Sequence, residues 1–350
     1  DVSWYFMGME DFKKTVVRNT IVKLIMIVLI FTLVKTEADL WKYILLIGVA
    51  QLSGNLTLWP YLKSNIQWVS PKEWHPLRHL YPSLLLFIPT ITTQIYLVVN
   101  KLMLGKIGQP TALGQFDYAD RLVKLVLAIV TATGTVMLPH IANKFAKGDL
   151  KGVRESLYNS FDFVTAMAVP MMFGLMAISE KFAPWFLGNG YQDAGKIIFF
   201  EAPAIVFIAW SNVTGDQYLM PIDRVKEYTV SVSIGAVVNV IANILLIPFY
   251  SANGAALATV IAEFSVMAVQ MNFVRSTIRR RQLFRSSWRY FLGGLIMFLV
   301  VNRICDVMTM NIVNMAIQIF VGTVIYVVCL FILKAPVIEQ AKVVLGKEAK

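Results

Sequence analysis

Residues 227–248 read EYTVSVSIGAVVNVIANILLIP, and residues 254–274 read GAALATVIAEFSVMAVQMNFV. The first carries one charged side chain, Glu227, at its edge; the second carries one, Glu263, in its middle. About 20 residues at 1.5 Å each suffice for a helix to cross the hydrocarbon core of a bilayer. A helix on a soluble surface would need a charged face, and neither stretch supplies one. With only a short turn between them, the two read as a transmembrane hairpin.

Extended along the chain, the same reading gives ten candidate spans, at 17–35, 40–60, 80–101, 119–142, 157–178, 196–216, 227–248, 254–274, 288–305 and 311–333. Composition agrees: 350 residues that are 57% hydrophobic and 15% charged cannot clothe soluble domains in a watery surface. The two cysteines, Cys305 and Cys329, lie in the apolar C-terminal part and form no disulfide framework or metal cluster. The expected fold is all-α, a polytopic bundle of about ten transmembrane helices.

The net charge of +11 is placed where a membrane wants it. With the N-terminus inside, the inner segments hold Lys13, Lys14, Arg18 and Lys23, then Lys63, Lys72 and Arg78, then Lys144, Lys147, Lys151 and Arg154. Arg224 and Lys226 follow, then Arg275, Arg279, Arg280, Arg281, Arg285 and Arg289, and a basic tail. This is the positive-inside pattern. It predicts both ends in the cytoplasm, and basic loops that meet anionic membrane lipid rather than nucleic acid.

The chain opens on Asp1, with no signal peptide before the first span, and residues 1–14 form an amphipathic connector. This predicts a piece of a longer protein. Four regions are expected: 1–60, a connector and two helices; 61–79, an interfacial linker marked by Trp68, Pro71, Trp74 and Pro76; 80–274, a six-helix lobe; and 275–350, a basic loop, two extra helices and a tail. Pro89, Pro170 with Gly174, Pro203, and Gly235 interrupt spans of the lobe, which suits either close packing or a moving transporter.

Ionisable groups at mid-membrane cost about 2.5–3.5 kcal/mol on insertion scales, so each needs a reason. Glu263, with Gln270 on its face, is either a protonated packing group or a proton or cation site; Glu201, near Pro203, allows the same two readings or reaches the outer interface. Arg121, Lys124, Ala128, Thr131 and Thr135 recur at i, i+3, i+7, i+10 and i+14, along one side of a helix. That stripe suits a wet cavity for phosphate and sugar hydroxyls, or two cations snorkelling to headgroups. Thr92, Thr93 and Gln94 lie at depth in the third span, which ends on Asn100 and Lys101. Ser231, Gly235, Asn239 and Asn243 form a stripe on the seventh, either helix–helix glue or part of a site. His75, His79 and His140 make no catalytic set, and no zinc, nucleotide or acyl-transfer motif is present.

Several runs resemble a known family. They are Asp1-Val2-Ser3-Trp4-Tyr5-Phe6, Tyr96-Leu97-Val98-Val99-Asn100-Lys101, Gly114-Gln115-Phe116-Asp117-Tyr118-Ala119-Asp120-Arg121, Val136-Met137-Leu138-Pro139-His140, Gln217-Tyr218-Leu219-Met220-Pro221 and Gly254-Ala255-Ala256-Leu257. Their order is similar to Wzx-type polysaccharide flippases of the multidrug/oligosaccharidyl-lipid/polysaccharide exporter superfamily. The resemblance implies two six-helix lobes with extra C-terminal helices, the first four helices being absent here. It implies alternating access that moves a polyprenyl-diphosphate-linked oligosaccharide across the bacterial cytoplasmic membrane, without a cofactor, with a glycan polymerase as a candidate partner. Where some relatives have Asp, this chain has Asn100.

The residues expected to carry such a task are Arg121 and Lys124 for the diphosphate, Thr92, Gln94 and Asn239 for sugar or water, and Glu263 and Glu201 for a coupling ion. Two rivals stand beside it. A multidrug exporter of the same superfamily would want an acidic cavity, and a membrane enzyme acting on a lipid-linked glycan would want a large outer loop with carboxylates.

Overall fold

The computed structural model describes residues 12–62, 98–106, 110–188 and 190–339, with single positions at 2, 5, 6, 70, 80, 83 and 87. Among these residues there is no strand. The chain divides into two compact units, Asp1–Leu80 and Tyr81–Lys350.

The first unit holds α1 (Phe12–Leu33), a 3-10 turn (Glu37–Asp39), α2 (Leu40–Leu56) and the short α3 (Trp59–Leu62). α1 and α2 show mostly exposed Leu, Ile, Val and Phe, the pattern of helices whose solvent is lipid. Arg18 ties them together, donating to the Gly54 carbonyl at 2.8 Å. At the turn, the Asp39 carboxylate accepts from the Lys35 and Thr36 amides at 3.0 Å each and pairs with Lys42 at 2.6 Å. The hydrogen bond from Lys42 above all, then those amides, hold the Asp39 carboxyl well below the usual range.

In the second unit, a helical stretch α4 at 98–106 precedes α5 (Pro110–Ala146), α6 (Leu150–Leu187), α7 (Ala194–Glu201) and α8 (Ala204–Ser211). A π-helical stretch, Asn212–Leu219, continues from α8. Then come α9 (Val225–Val274), α10 (Arg280–Leu283), α11 (Ser287–Val307) and α12 (Ile312–Ile332). Six helical segments of the described residues are long and apolar enough to cross a membrane, α1 among them. This is a multi-pass α-helical membrane fold. The expected span 80–101 falls mostly outside the described residues, as do most of the 61–79 linker and Thr92 and Gln94.

Local chemistry sets the element ends. Gly148, at φ 74°, closes α5 in the left-handed conformation a side chain would disfavour, and Asp149 caps α6 by accepting from the Gly152 amide at 2.8 Å. The 157–178 span is the middle of a 38-residue helix whose cap, Asp149, lies eight positions before the apolar signal begins. The 196–216 span breaks at Ala202–Pro203 and ends in the π turn, which carries it to Leu219. The two stretches of the hairpin appear as one helix, α9, broken at Ser251, whose φ of 50° and ψ of −126° are not helical. Tight packing follows the small residues: a Cβ on Gly195 would lie 2.6 Å from the Glu180 Cα, so α7 presses backbone-close on α6. The core centres on Phe161 stacked on Trp210 at 5.5 Å, with Phe284 edge-on to both.

Candidate functional site

α5 carries two acid–base pairs one turn deep. Asp117 pairs with Arg121 at 2.8 Å and with Lys101 of α4, while Asp120 pairs with Lys124 at 2.7 Å. Both helical pairs are i,i+4, where side chains stack on one face. Arg121 is 68% exposed and lies over the Tyr118 ring; Lys124 is 41% exposed. Asp120, by contrast, is buried, and it meets a second acid there. Glu201, at the end of α7 and 2% exposed, places its carboxyl within hydrogen-bonding reach of Asp120, with the Lys124 charge nearby. Among the described residues its Oε2 has no hydrogen-bond partner.

The predicted stripe is therefore two-sided. Arg121, Lys124, Ala128 and Thr131 lie on the face of α5 turned from the unit's core, which is filled by Phe116, Ala119, Val123 and Val130. The Thr135 side chain lies outside the described residues. The sequence reading missed the acids one turn earlier, although the spacing of Asp117 with Arg121 and of Asp120 with Lys124 was there to be read.

A second polar group joins α4 to both limbs of the hairpin. Asn243 donates to Asn100 at 2.6 Å and to Asn239 at 3.0 Å, and Asn100 donates to Thr259 at 3.0 Å. All four side chains are buried, and among the described residues the Asn239 Nδ2 and Asn243 Oδ1 have no partner. Asn239 thus sits inside a closed amide cluster.

The π stretch anchors a third group. Thr214 donates to Gln270 at 2.7 Å, Gln270 donates to Ser231 at 3.2 Å, and Ser160 donates to Gln217 at 2.5 Å. Asn212 donates to Asp216 at 2.7 Å, and the Tyr228 hydroxyl bonds the same carboxylate. Glu263, 6% exposed, lies on the other limb. Among the described contacts nothing joins Glu201 to Glu263; they belong to different groups. Asp216 and Gln217 escaped the sequence reading because they sit at the edge of an expected span, where polar residues are ordinary.

Also on α5, Val126 and Ile129 form one wall of an apolar cleft of about 530 Å³, closed by Met167 and Pro170 of α6, Met297 of α11 and Gly322 of α12. Gln318 lines it, 1% exposed, with neither amide atom partnered among the described residues.

Residues 6–196 match the family model described as "Polysaccharide biosynthesis protein". The chain belongs to that family. The resemblance to polysaccharide transporters read from the sequence is borne out at this level. A relative, the "Putative O-antigen transporter" of Escherichia coli (strain K12), is 24% identical over 282 residues, 78% of this chain and 66% of that protein. The lipid II flippase MurJ of Bacillus subtilis (strain 168) is 26% identical over 145 residues, 41% of this chain and 26% of that protein. The chain thus spans at most about two thirds of these two relatives. Its fold is similar to that of a solved lipid II flippase MurJ in an inward closed conformation, with TM-score 0.70 and 21% identity over 86% of this chain and 64% of that one.

Proposed function

We propose that this chain belongs to a flippase, a transporter and not an enzyme, that moves a polyprenyl-diphosphate-linked oligosaccharide across the bacterial cytoplasmic membrane. One observation carries the reading beyond family membership: α5 bears both the exposed cations Arg121 and Lys124 and, about 7 Å further along its axis, a wall of the apolar cleft. A charged face joined to an apolar groove matches an amphiphile with a diphosphate head and a long hydrocarbon tail. Leaving that head and its sugars in hydrocarbon would strand polar groups without partners. A cationic, hydroxyl-bearing face removes that cost while the tail stays in apolar surroundings.

In this reading Arg121 and Lys124 hold the diphosphate. Thr92 and Gln94 meet sugar or water, as does Asn239 once the amide cluster opens. Glu201, beside Asp120, and Glu263, on the second limb of the hairpin, carry the coupling ion. Both ends of the chain face the cytoplasm, in line with the placement of its basic residues. The partners are the lipid-linked glycan, anionic lipid at the basic loops, and a glycan polymerase that takes up the delivered unit.

Binding to the purified protein tests the substrate class. A polyprenyl-diphosphate oligosaccharide should bind more tightly than polyprenyl phosphate without sugar, and far more tightly than the cationic dye ethidium. Tighter binding of ethidium would point to the multidrug reading instead.

A further inference from the structure

At the end of the bundle where α6 begins and α9 finishes, a pocket of about 480 Å³ opens between α6 and the 275–282 turn. Lys151, Arg154, Arg275 and Arg279 line it, with Glu155 as the one acid among the lining residues. Its frame is fixed. The Arg279 amide donates to the Tyr158 hydroxyl at 3.1 Å, the Tyr218 hydroxyl donates to Thr277 at 3.0 Å, and Ile278 plugs the core at 1% exposure.

The cations on this frame are uncommitted. Among the described residues none of the four is ion-paired. Two neighbours differ: Arg280 donates to the Met271 carbonyl at 3.0 Å, and Arg289 to the Lys334 carbonyl at 2.6 Å. The first turn of α6 is already capped by Asp149, so the attraction for an anion comes from side chains and not from the helix end. Four like charges around one cavity repel each other, and an anion held among them relieves that repulsion.

We infer that this pocket binds a phosphate group, with Arg154, Arg275 and Arg279 offering bidentate contacts and Lys151 a point charge. The phosphate comes either from the headgroup of an anionic phospholipid or from solution. The site does not depend on which molecule the chain transports.

The test uses the purified full chain in neutral detergent at constant ionic strength, since salt screens exposed charge. Three probes are titrated: dioctanoyl phosphatidylglycerol, dioctanoyl phosphatidylcholine and inorganic phosphate. The variant Arg154→Gln/Arg279→Gln removes two pocket charges. Arg281→Gln/Arg285→Gln removes two charges from the same segment that do not line the pocket. Phosphatidylglycerol should bind about tenfold more tightly than phosphatidylcholine, and the pocket variant should weaken it by about tenfold or more while the control variant leaves it nearly unchanged. Displacement of the lipid by inorganic phosphate, or phosphate binding without lipid preference, assigns the site to the free anion. Lipid binding that phosphate fails to displace assigns it to the headgroup. Equal weakening in both double variants would mean diffuse surface charge and overturn the inference, as would an unaffected pocket variant or no binding of phosphatidylglycerol or inorganic phosphate by the parent chain. All four substituted residues are exposed, and matched elution profiles check that the variants fold.

Discussion

The Glu201 carboxyl, on α7, meets the Asp120 carboxyl of α5 in a buried contact, and Lys124 reaches the same Asp120 at 2.7 Å. Two acids and one base leave one negative charge over, which a proton or another cation can balance. Burial makes that balance necessary, because an uncompensated charge away from water is costly. The arrangement also ties α7 to α5, so a change of occupancy changes how two helices of the unit hold together.

The first prediction follows from that excess charge. Glu201→Gln keeps the shape and a hydrogen bond to Asp120 but removes the exchangeable charge. Abundance and thermal stability should stay near those of the parent, while the dependence of transport on the ion gradient is lost. Gradient dependence that survives in this variant would take Glu201 out of the coupling.

A second prediction concerns the amide cluster. Asn243→Ala strips the donor from both Asn100 and Asn239, leaving two buried carbonyl oxygens without it. Buried hydrogen bonds between membrane helices contribute about 0.6–2 kcal/mol each, so thermal unfolding in detergent should shift down by several degrees. Ile244→Ala, at a 55% exposed neighbouring position, is the comparison and should shift little. Equal shifts would mean that the cluster adds nothing to stability.

Close packing gives a third. Gly195→Ala puts a methyl group 2.6 Å from the Glu180 Cα, in backbone that cannot yield like a side chain. Overpacking of this kind costs about 1–3 kcal/mol. Gly114→Ala, with nothing within 4 Å of the new atom, should be tolerated or slightly stabilising. The pair is read by comparing the two melting temperatures; a Gly195→Ala melt at or above that of Gly114→Ala contradicts the packing described.

The apolar spans were legible because hydrocarbon imposes one simple demand, and runs such as 312–332 meet it outright. Their ends were less so. α6 starts at a cap made by Asp149, and hydropathy says nothing about caps. Ser251 stands where a short turn was expected, but no residue type announces that α9 folds back with its non-helical φ confined to that position. The site was half legible: Lys124 stood out on its stripe, and Asp120 could have been paired with it from spacing alone. The meeting of Asp120 with Glu201, or of Asn100 with Asn243 across 143 residues, is a product of the fold and has no local signature. The π stretch was hidden for the same reason, since the bonds of Thr214 to Gln270 and of Gln217 to Ser160 form only when α9 and α6 close around it.

The central claim, that the exposed cations of α5 grip a diphosphate, is tested most directly by Arg121→Gln/Lys124→Gln in cells that depend on this protein. Gln retains hydrogen bonding but not the positive charge that makes phosphate contacts strong. The measurement is the amount of sugar-linked lipid in the inner leaflet, with protein abundance followed alongside. Accumulation of that lipid at normal abundance, with a milder effect from Lys124→Arg, is the predicted result. Normal export by the double variant at normal abundance would contradict the account and leave Arg121 and Lys124 as headgroup contacts only.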